Sequence, residues 1–463
     1  MHSVDRSPLA VETETTPKPE STFPQRTAPA EVRPRRWLPG PSRRNLAGLG
    51  RRPDFLRFWA AETVSQLGSQ VTLLALPLMA ALSLGAEPFE VGLLAAAGTT
   101  PALLVGLFAG VWVDRLRRRP VLIAADLGRA ALLLVIPLAA AVGRLGMPLL
   151  YAVALLAGTL TVLASVAYVS YLPTLVGRAD LVDGNGKLEA SRSTAQIVGP
   201  GIGGALIGAF GAPIALVLDA ASFLASAGLL ASIRTPEPPP RPRTAGNVWR
   251  EIGEGLDAVR RHHLLRPLVL SAATTEFFAF VFFAVYVLYF TRELGLSATA
   301  IGLVFATGGV GALIGAVLAA PLGRRFGQGP AIVVAQLLFG ISGLVIPLAA
   351  LLPAIALEMV VASEFAQWLT IMVVNVNALS LRQALTPDRL QGRVNATFRF
   401  LVGGSQPLGS LLGGVLGGLI GLPWTLVVGE IGMLLAVLWL LASPLPRLRE
   451  VPDADQPMPG KGP

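Results

Sequence analysis

Twelve apolar runs follow one another along the chain, separated by short polar stretches. They lie near 55–84, 88–112, 119–142, 147–176, 187–210, 212–233, 264–292, 297–320, 329–352, 353–382, 388–420 and 422–443. Each reaches the roughly 20 residues that a helix needs to cross a bilayer. Two polar regions interrupt the series. Residues 1 to about 54 are rich in Pro and Arg and contain no apolar core of the kind a signal peptide needs, so they read as a cationic, disordered tail. Residues 234–263 form a linker between the sixth and seventh runs. From Asn247 the linker reads as an amphipathic surface helix, with Val248, Ile252, Leu256 and Val259 on one face.

The runs repeat. "LVIPLAA" occurs at 134–140 and again at 344–350, and 344 − 134 = 210. The same shift aligns "LGAEPFEVGL" at 84 with "LGLSATAIGL" at 294, and "GGALIGAFGAP" at 203 with "GGVLGGLIGLP" at 413. One offset holding across separate helices implies two six-helix halves, 55–233 and 264–443, from a duplication. Parallel repeats of this kind are the internal symmetry of many secondary transporters, with substrate held between the halves. Pro137 and Pro347 are expected to kink matched helices.

Composition agrees. The chain is 53% hydrophobic and 14% charged, against about a quarter charged in soluble domains. It has no cysteine and three histidines, which leaves no thiol chemistry or disulfide and no ready metal site. The formal net charge of +9 sits in alternate loops and in both tails, as the positive-inside rule requires of a plasma-membrane protein with both ends in the cytoplasm. That placement favours topology over nucleic-acid binding. A monomer without a cofactor is expected. No GxxxxGK[ST] loop is present, so ATP-driven pumping is unsupported.

The loop "GVWVDRLRRRPVL" carries a more specific signal. Gly110, Asp114, Arg115, Arg118 and Arg119 resemble the loop motif of the major facilitator superfamily, with Arg117 at a place often held by glycine. The resemblance implies an all-α fold of twelve transmembrane helices in two bundles. It also implies that Asp114 steadies the cytoplasmically closed state by meeting the opposite half; the alternative is an ordinary positive-inside loop with a solvated Asp114. A helix N-terminus at "TPDRL", with Thr386 as N-cap and Pro387 in its first turn, is a fitting site. "GPGIGG", with Gly199, Pro200, Gly203 and Gly204, resembles the motif of drug:proton antiporters. "FLRFWAAETVSQLGSQVTLLALPL" and "AADLGRA" are similar to macrolide-efflux and enterobactin-exporter-like proteins.

Ionisable residues inside the runs are the candidate site, since each is costly in lipid unless it has work or a partner. Glu62, Gln66 and Ser69 form one polar stripe, and the 210 shift sets Gln66 opposite Glu276. Glu62 either lines the cavity or reaches the interface. Asp126 and Arg129, at i and i+3, read first as an ion pair and second as a proton relay. Glu189 and Arg192 read the same way. Asp219 and Glu364 with Gln367 are further candidates. Phe277, Phe280 and Phe283 supply either a pocket wall or a lipid-facing belt. The expected activity is export of an amphiphilic organic compound (drug, macrolide or siderophore-like) in exchange for protons. The alternatives are an importer or facilitator of the same fold, and a non-transporting receptor or scaffold. No enzyme constellation is visible. The expected partners are a small molecule, protons and membrane lipid.

Overall fold

In hydrocarbon every backbone N–H and C=O needs a partner within its own segment, and helices meet that demand. The computed structural model describes residues 2, 49–50, 52–177, 180–237 and 248–449, and among them there is no strand. The side chains of 107, 110, 111, 114, 248–252, 388 and 389 lie outside the described set, as do the first 48 residues apart from residue 2, and the last 14 residues.

The first half runs through α1 (Pro53–Leu82), α2 (Pro88–Leu104), α3 (Gly106–Asp114), α4 (Arg118–Ala141), α5 (Met147–Val176), α6 (Leu181–Phe210) and α7 (Ala212–Ala231). After α8 (Val248–Arg261) in the linker, the second half runs through α9 (Leu265–Leu288), a π-helical turn at Tyr289–Glu293, and α10 (Ala298–Phe326). It continues with α11 (Gln328–Gly343), α12 (Val345–Leu348), α13 (Ala356–Leu385), α14 (Asp388–Leu419), α15 (Leu422–Leu435) and α16 (Val437–Leu441). Among the described residues, nine helical stretches are long and apolar enough to cross a membrane. Three predicted runs fall outside that criterion. α2 is a shorter apolar helix followed by α3. α6 and α14 are 30 and 32 residues long but carry charged residues toward their starts.

Successive helices are antiparallel. Arg52 near the start of α1 donates to Val176 O at the end of α5 (2.8 Å), and Trp59 Nε1 donates to Lys187 O near the start of α6 (3.2 Å). Both described ends of the main body, Arg52 and Arg449, therefore share one face, here termed the terminal face. The opposite one is the far face.

The duplication is written in the backbone. Gly85 and Gly295 turn the chain with φ +61° at both sites. Gly211 and Gly421 do so at +83° and +85°, again 210 apart. An L side chain is strained at such angles, so glycine is fixed there. α2 is preceded by a capping box on Glu87 and α10 by Ser297, whose side chain accepts from Ala300 N at 3.2 Å; 297 − 87 = 210.

The halves meet through two symmetric helix pairs, α2 with α14 and α6 with α10. A single apolar core spans both halves at the far face, from Val71, Leu133 and Phe223 to Phe282, Tyr286 and Ile346. Toward the terminal face it divides. One core, around Phe55, Phe58, Tyr171 and Leu230, belongs to the first half, and another, around Leu265, Ile332, Val373 and Leu445, to the second. At the far face glycines permit backbone contact. Gly92 lies against Gly414 and Ser410, and Gly204 against Gly302 and Ala298. These pairs are images of each other: 92 + 210 = 302 and 204 + 210 = 414.

Three local expectations change. Thr386 does not cap α14. Its hydroxyl donates back to Arg382 O (2.7 Å), and Pro387 takes the N-cap position. Pro137 stays inside an unbroken α4, whereas its counterpart Pro347 follows a break that divides α11 from α12. Tyr289 serves the other end of α12, where the chain tightens into a 3-10 turn: its hydroxyl donates to Ile346 O (3.0 Å) and Pro347 O (3.2 Å) and accepts from Ala350 N (3.2 Å), in place of the bond a continuous helix would make from Ala350 N to Ile346 O. In α8 the predicted apolar face is split. Val259 is buried with Val269 and Val394, while Leu256 is 45% exposed. The helix docks on α14 through Gly255, which meets Arg393 O and Thr397, and through the Glu254–Arg393 ion pair.

Candidate functional site

Polar side chains gather inside each half rather than in one central cluster. In the first half, Gln66 Nε2 donates to Glu62 Oε1 at 2.7 Å along α1. Glu62 lies beside Tyr168 of α5 and the Asp126–Arg129 pair of α4. Asp126 pairs with Arg129 and accepts from Ser226 Oγ of α7 at 2.6 Å, and it is fully buried. The Arg129 guanidinium sits 4.2 Å above the Phe223 ring. The pair is closed within the first half, although the Arg129 Nε is buried without an acceptor. Ser69, the third member of the stripe, turns its hydroxyl back to Ser65 O (2.8 Å). Asp219, 1% exposed, is held between α1 and α7 by Thr72 and by Ser222 Oγ (3.0 Å). Glu189 and Arg192 form a loose, exposed pair at 3.9 Å.

The second half contains a cavity of about 570 Å³. Its lining comes from α9, α11, α13, α14, α15 and α16. It includes Glu276, Gln336, Glu364, Gln367, Asn375 and Arg382, with Phe280, Phe283, Trp368 and Phe398 among the apolar walls. Such a mixture, mostly apolar with a few placed polar groups, is the usual make-up of a small-molecule site. Glu276 accepts from Gln406 Nε2 at 2.6 Å, across α9 to α14. Glu364 accepts from Tyr286 OH (2.5 Å) and Trp368 Nε1 (2.8 Å), and is 3% exposed. Of the acids singled out from sequence, Glu276 and Glu364 share this cavity. Glu62, Asp126 and Asp219 stand in the other half. Phe280 and Phe283 line the cavity, while the Phe277 backbone is packed against Gly409.

Sequence reasoning missed Gln336, Arg382, Gln406 and Glu430. The register could have found one: 126 + 210 = 336, so Gln336 occupies the place of Asp126. It donates to Thr275 Oγ1 (3.1 Å) and Met433 O (3.2 Å). Glu430 is fully buried beside Gln367 (3.4 Å) and Gly343. It lies one residue from the image of Asp219.

The loop-motif arginines have local work. Arg118 N (2.5 Å) and Arg119 N (3.2 Å) donate to the carboxylate of Glu237 at the start of the linker. The positive end of α4 is thus capped by an acid more than a hundred residues away. Arg119 also donates through Nε to Leu230 O (2.9 Å) and through its terminal nitrogen to Ala231 O (2.5 Å), closing the end of α7. Arg115 is exposed, and the side chains of Gly110 and Asp114 lie outside the described residues. In the antiporter-like motif, Gly199 and Gly203 face Gln70 and Val71 of α1, while Pro200 O and Gly204 face Gly302 of α10. The motif is a packing surface for two helices at once. Among the described residues no group of three or more His, Cys, Asp or Glu could hold a metal.

Comparison with known proteins agrees with the fold. The chain is 29% identical over 422 residues to the multidrug efflux pump Tap of Mycolicibacterium fortuitum, covering 89% of this chain and 100% of that protein. It is 26% identical over 413 residues to the enterobactin exporter EntS of Citrobacter koseri, covering 88% and 96%. Among solved structures, a bacterial homologue of the iron transporter ferroportin superposes with a TM-score of 0.66 in its inward-facing state and 0.55 in its outward-facing state. Both are 18% identical and cover 84% of this chain and 98% of that one. A family model described as transmembrane secretion effector matches residues 45–461. The chain belongs to that family, within the major facilitator superfamily of membrane transporters.

Proposed function

We propose that this transporter exports an amphiphilic organic compound in exchange for protons, by alternating access, from a plasma membrane in which both its ends face the cytoplasm. In this reading twelve helices span the bilayer and the terminal face is cytoplasmic, as the arginine-rich loops on that side favour. One observation carries the mechanism: a single apolar core joins the halves at the far face and splits in two toward the terminal face. That arrangement is one end of a rocking motion, with the outer side closed. The better superposition on the inward-facing ferroportin homologue supports the same state. The names of the efflux relatives support the direction of transport.

The cavity carboxylates Glu276 and Glu364, with Glu62 in the first half, are the groups that exchange a proton for substrate. A proton moving inward contributes roughly 2.3 kcal/mol per 100 mV. Asp126, Arg129 and Asp219 hold the first half rigid around Glu62. Asp114 docks on the second half in the opposite closed state, when the terminal face shuts. The chain works as a monomer without a cofactor.

Inverted membrane vesicles energised by a proton gradient test the reading. The intact chain should accumulate dyes from an amphiphile panel, and Glu276→Gln together with Glu62→Gln should abolish the proton dependence. Full proton-driven uptake by both variants would overturn the coupling assignment, and no uptake across the panel would overturn export.

A further inference from the structure

Three lining groups of the cavity can carry charge: Glu276, Glu364 and Arg382. The two acids already have donors from the protein, namely Gln406 for one, and Tyr286 with Trp368 for the other. The arginine differs. Its Nε is buried without a hydrogen-bond acceptor, and no carboxylate lies within ion-pair distance of it among the described residues. Its guanidinium carbon sits 3.8 Å from the centre of the Phe398 ring. The ring face compensates part of the charge. It leaves N–H donors whose natural complement is the paired oxygens of an oxyanion. What Arg382 lacks, despite the two acids elsewhere in the lining, is an acceptor of its own.

Position adds to this. Arg382 stands 382 − 364 = 18 residues beyond Glu364 on α13, about 27 Å along the helix axis, three residues before the helix ends. The cavity thus has a cationic mouth near the terminal face and apolar, aromatic walls running inward. A head-and-body molecule fits that layout.

We infer that the cavity takes an amphiphile bearing an anionic group (carboxylate, sulfonate or phosphate), with Arg382 engaging the oxyanion and Phe280, Phe283, Trp368 and Phe398 holding the apolar body. The inference rests on the reading of the chain as a carrier of amphiphiles and adds a charge class to it. Arg382 becomes a specificity-determining residue. An anionic lipid headgroup offers the same chemistry, so the test separates the two.

The full chain is placed in nanodiscs of phosphatidylcholine alone and, in parallel, of phosphatidylcholine with phosphatidylglycerol. The probes are a dansylated eleven-carbon fatty acid and its methyl ester, read by energy transfer from tryptophan; Trp368 lines the cavity. The acid should bind at least tenfold tighter than the ester in both lipids. Arg382→Gln should remove that preference by weakening the acid about tenfold and the ester less than twofold. Arg382→Lys keeps the charge without the planar fork and guards against a folding failure; it should lose part of the preference, about threefold. Equal binding of acid and ester by the intact chain overturns the inference, as does equal weakening of both by Arg382→Gln. An effect of the variant that appears only with phosphatidylglycerol also overturns it, because the occupant is then a headgroup. The readout is binding, not flux. Selective binding without vesicle uptake would refute export and leave this inference standing, and proton-driven efflux without acid preference would do the reverse.

Discussion

Adding one methyl group at the far-face glycines should push the protein toward its other conformation. A Cβ at Gly204 would lie 2.6 Å from both Ala298 O and Gly302 Cα. At Gly302 it would lie 2.7 Å from Gly204 Cα and Pro200 O, and at Gly92 2.6 Å from Ser410 O and 2.7 Å from Gly414 Cα. Ordinary carbon contacts begin near 3.5 Å, so each site is short by about 1 Å. Every neighbour is backbone and cannot rotate away. Overpacking of this kind costs about 1–3 kcal/mol, and it falls on the closed far face alone. The balance between states should move by about 5- to 150-fold. Gly414 is an internal control: its added Cβ meets Gly92 Cα, Phe89 Cα and Pro88 O at 3.1 Å, so Gly414→Ala should sit at or below the lower bound. The chain has no cysteine, so spin labels at Ser83→Cys and Glu293→Cys can report the far-face distance directly. Gly92→Ala, Gly204→Ala and Gly302→Ala should each add a longer-distance population, with Gly414→Ala adding least. Monodisperse variants whose distance distributions match the parent would refute the idea that these pairs set the closed state.

Other consequences can be measured as simply. Asp114→Asn should slow turnover several-fold with substrate binding nearly unchanged; unchanged turnover would remove the latch role. Gly255→Val should drive α8 off α14, because a side chain there meets Arg393 O at 2.5 Å, and limited proteolysis of the linker should quicken. His262 gives a pH prediction. Its Nδ1 accepts from Leu264 N (3.2 Å) and Leu265 N (3.3 Å), which requires that nitrogen to be unprotonated. Burial, and then the stacked His263, hold its pKa below the ordinary 6.5. The unfolded chain therefore takes up the proton first, and stability should fall as pH drops below 6.5. His262→Gln should flatten the melting temperature between pH 7.5 and 5.5 relative to the parent; an equally steep dependence would assign it to other groups.

The fold was legible because two independent periodicities coincide. Apolar runs of membrane length mark helices, and the 210-residue register pairs them, so the turn glycines Gly85 and Gly295 could be matched before their angles were known. The site was less legible. A list of intramembrane acids cannot distinguish Glu364, which is held by neighbouring side chains and also lines a cavity, from Asp219, which is held between α1 and α7. Arg382 was hidden by the positive-inside rule, which explains any arginine near a helix end and so draws no attention to one without an acid. The split face of α8 was unreadable for another reason: Gly255, the residue that decides how it docks, contributes nothing to an apolar pattern.

The cavity lies within one of the two duplicated units, and that divides their labour. Once a gene has doubled, the copies are released from doing the same thing. Here the second copy shapes the chamber, while the first pairs Asp126 with Arg129 and supplies the surface on α2 and α6 that meets α14 and α10. On the proposed reading of the cavity as the substrate site, preference is a heritable property of residues 264–443. Exchanging that segment between members of this family should carry the preference with it, provided that the glycine contacts on α2 and α6 are kept so that the foreign half still fits.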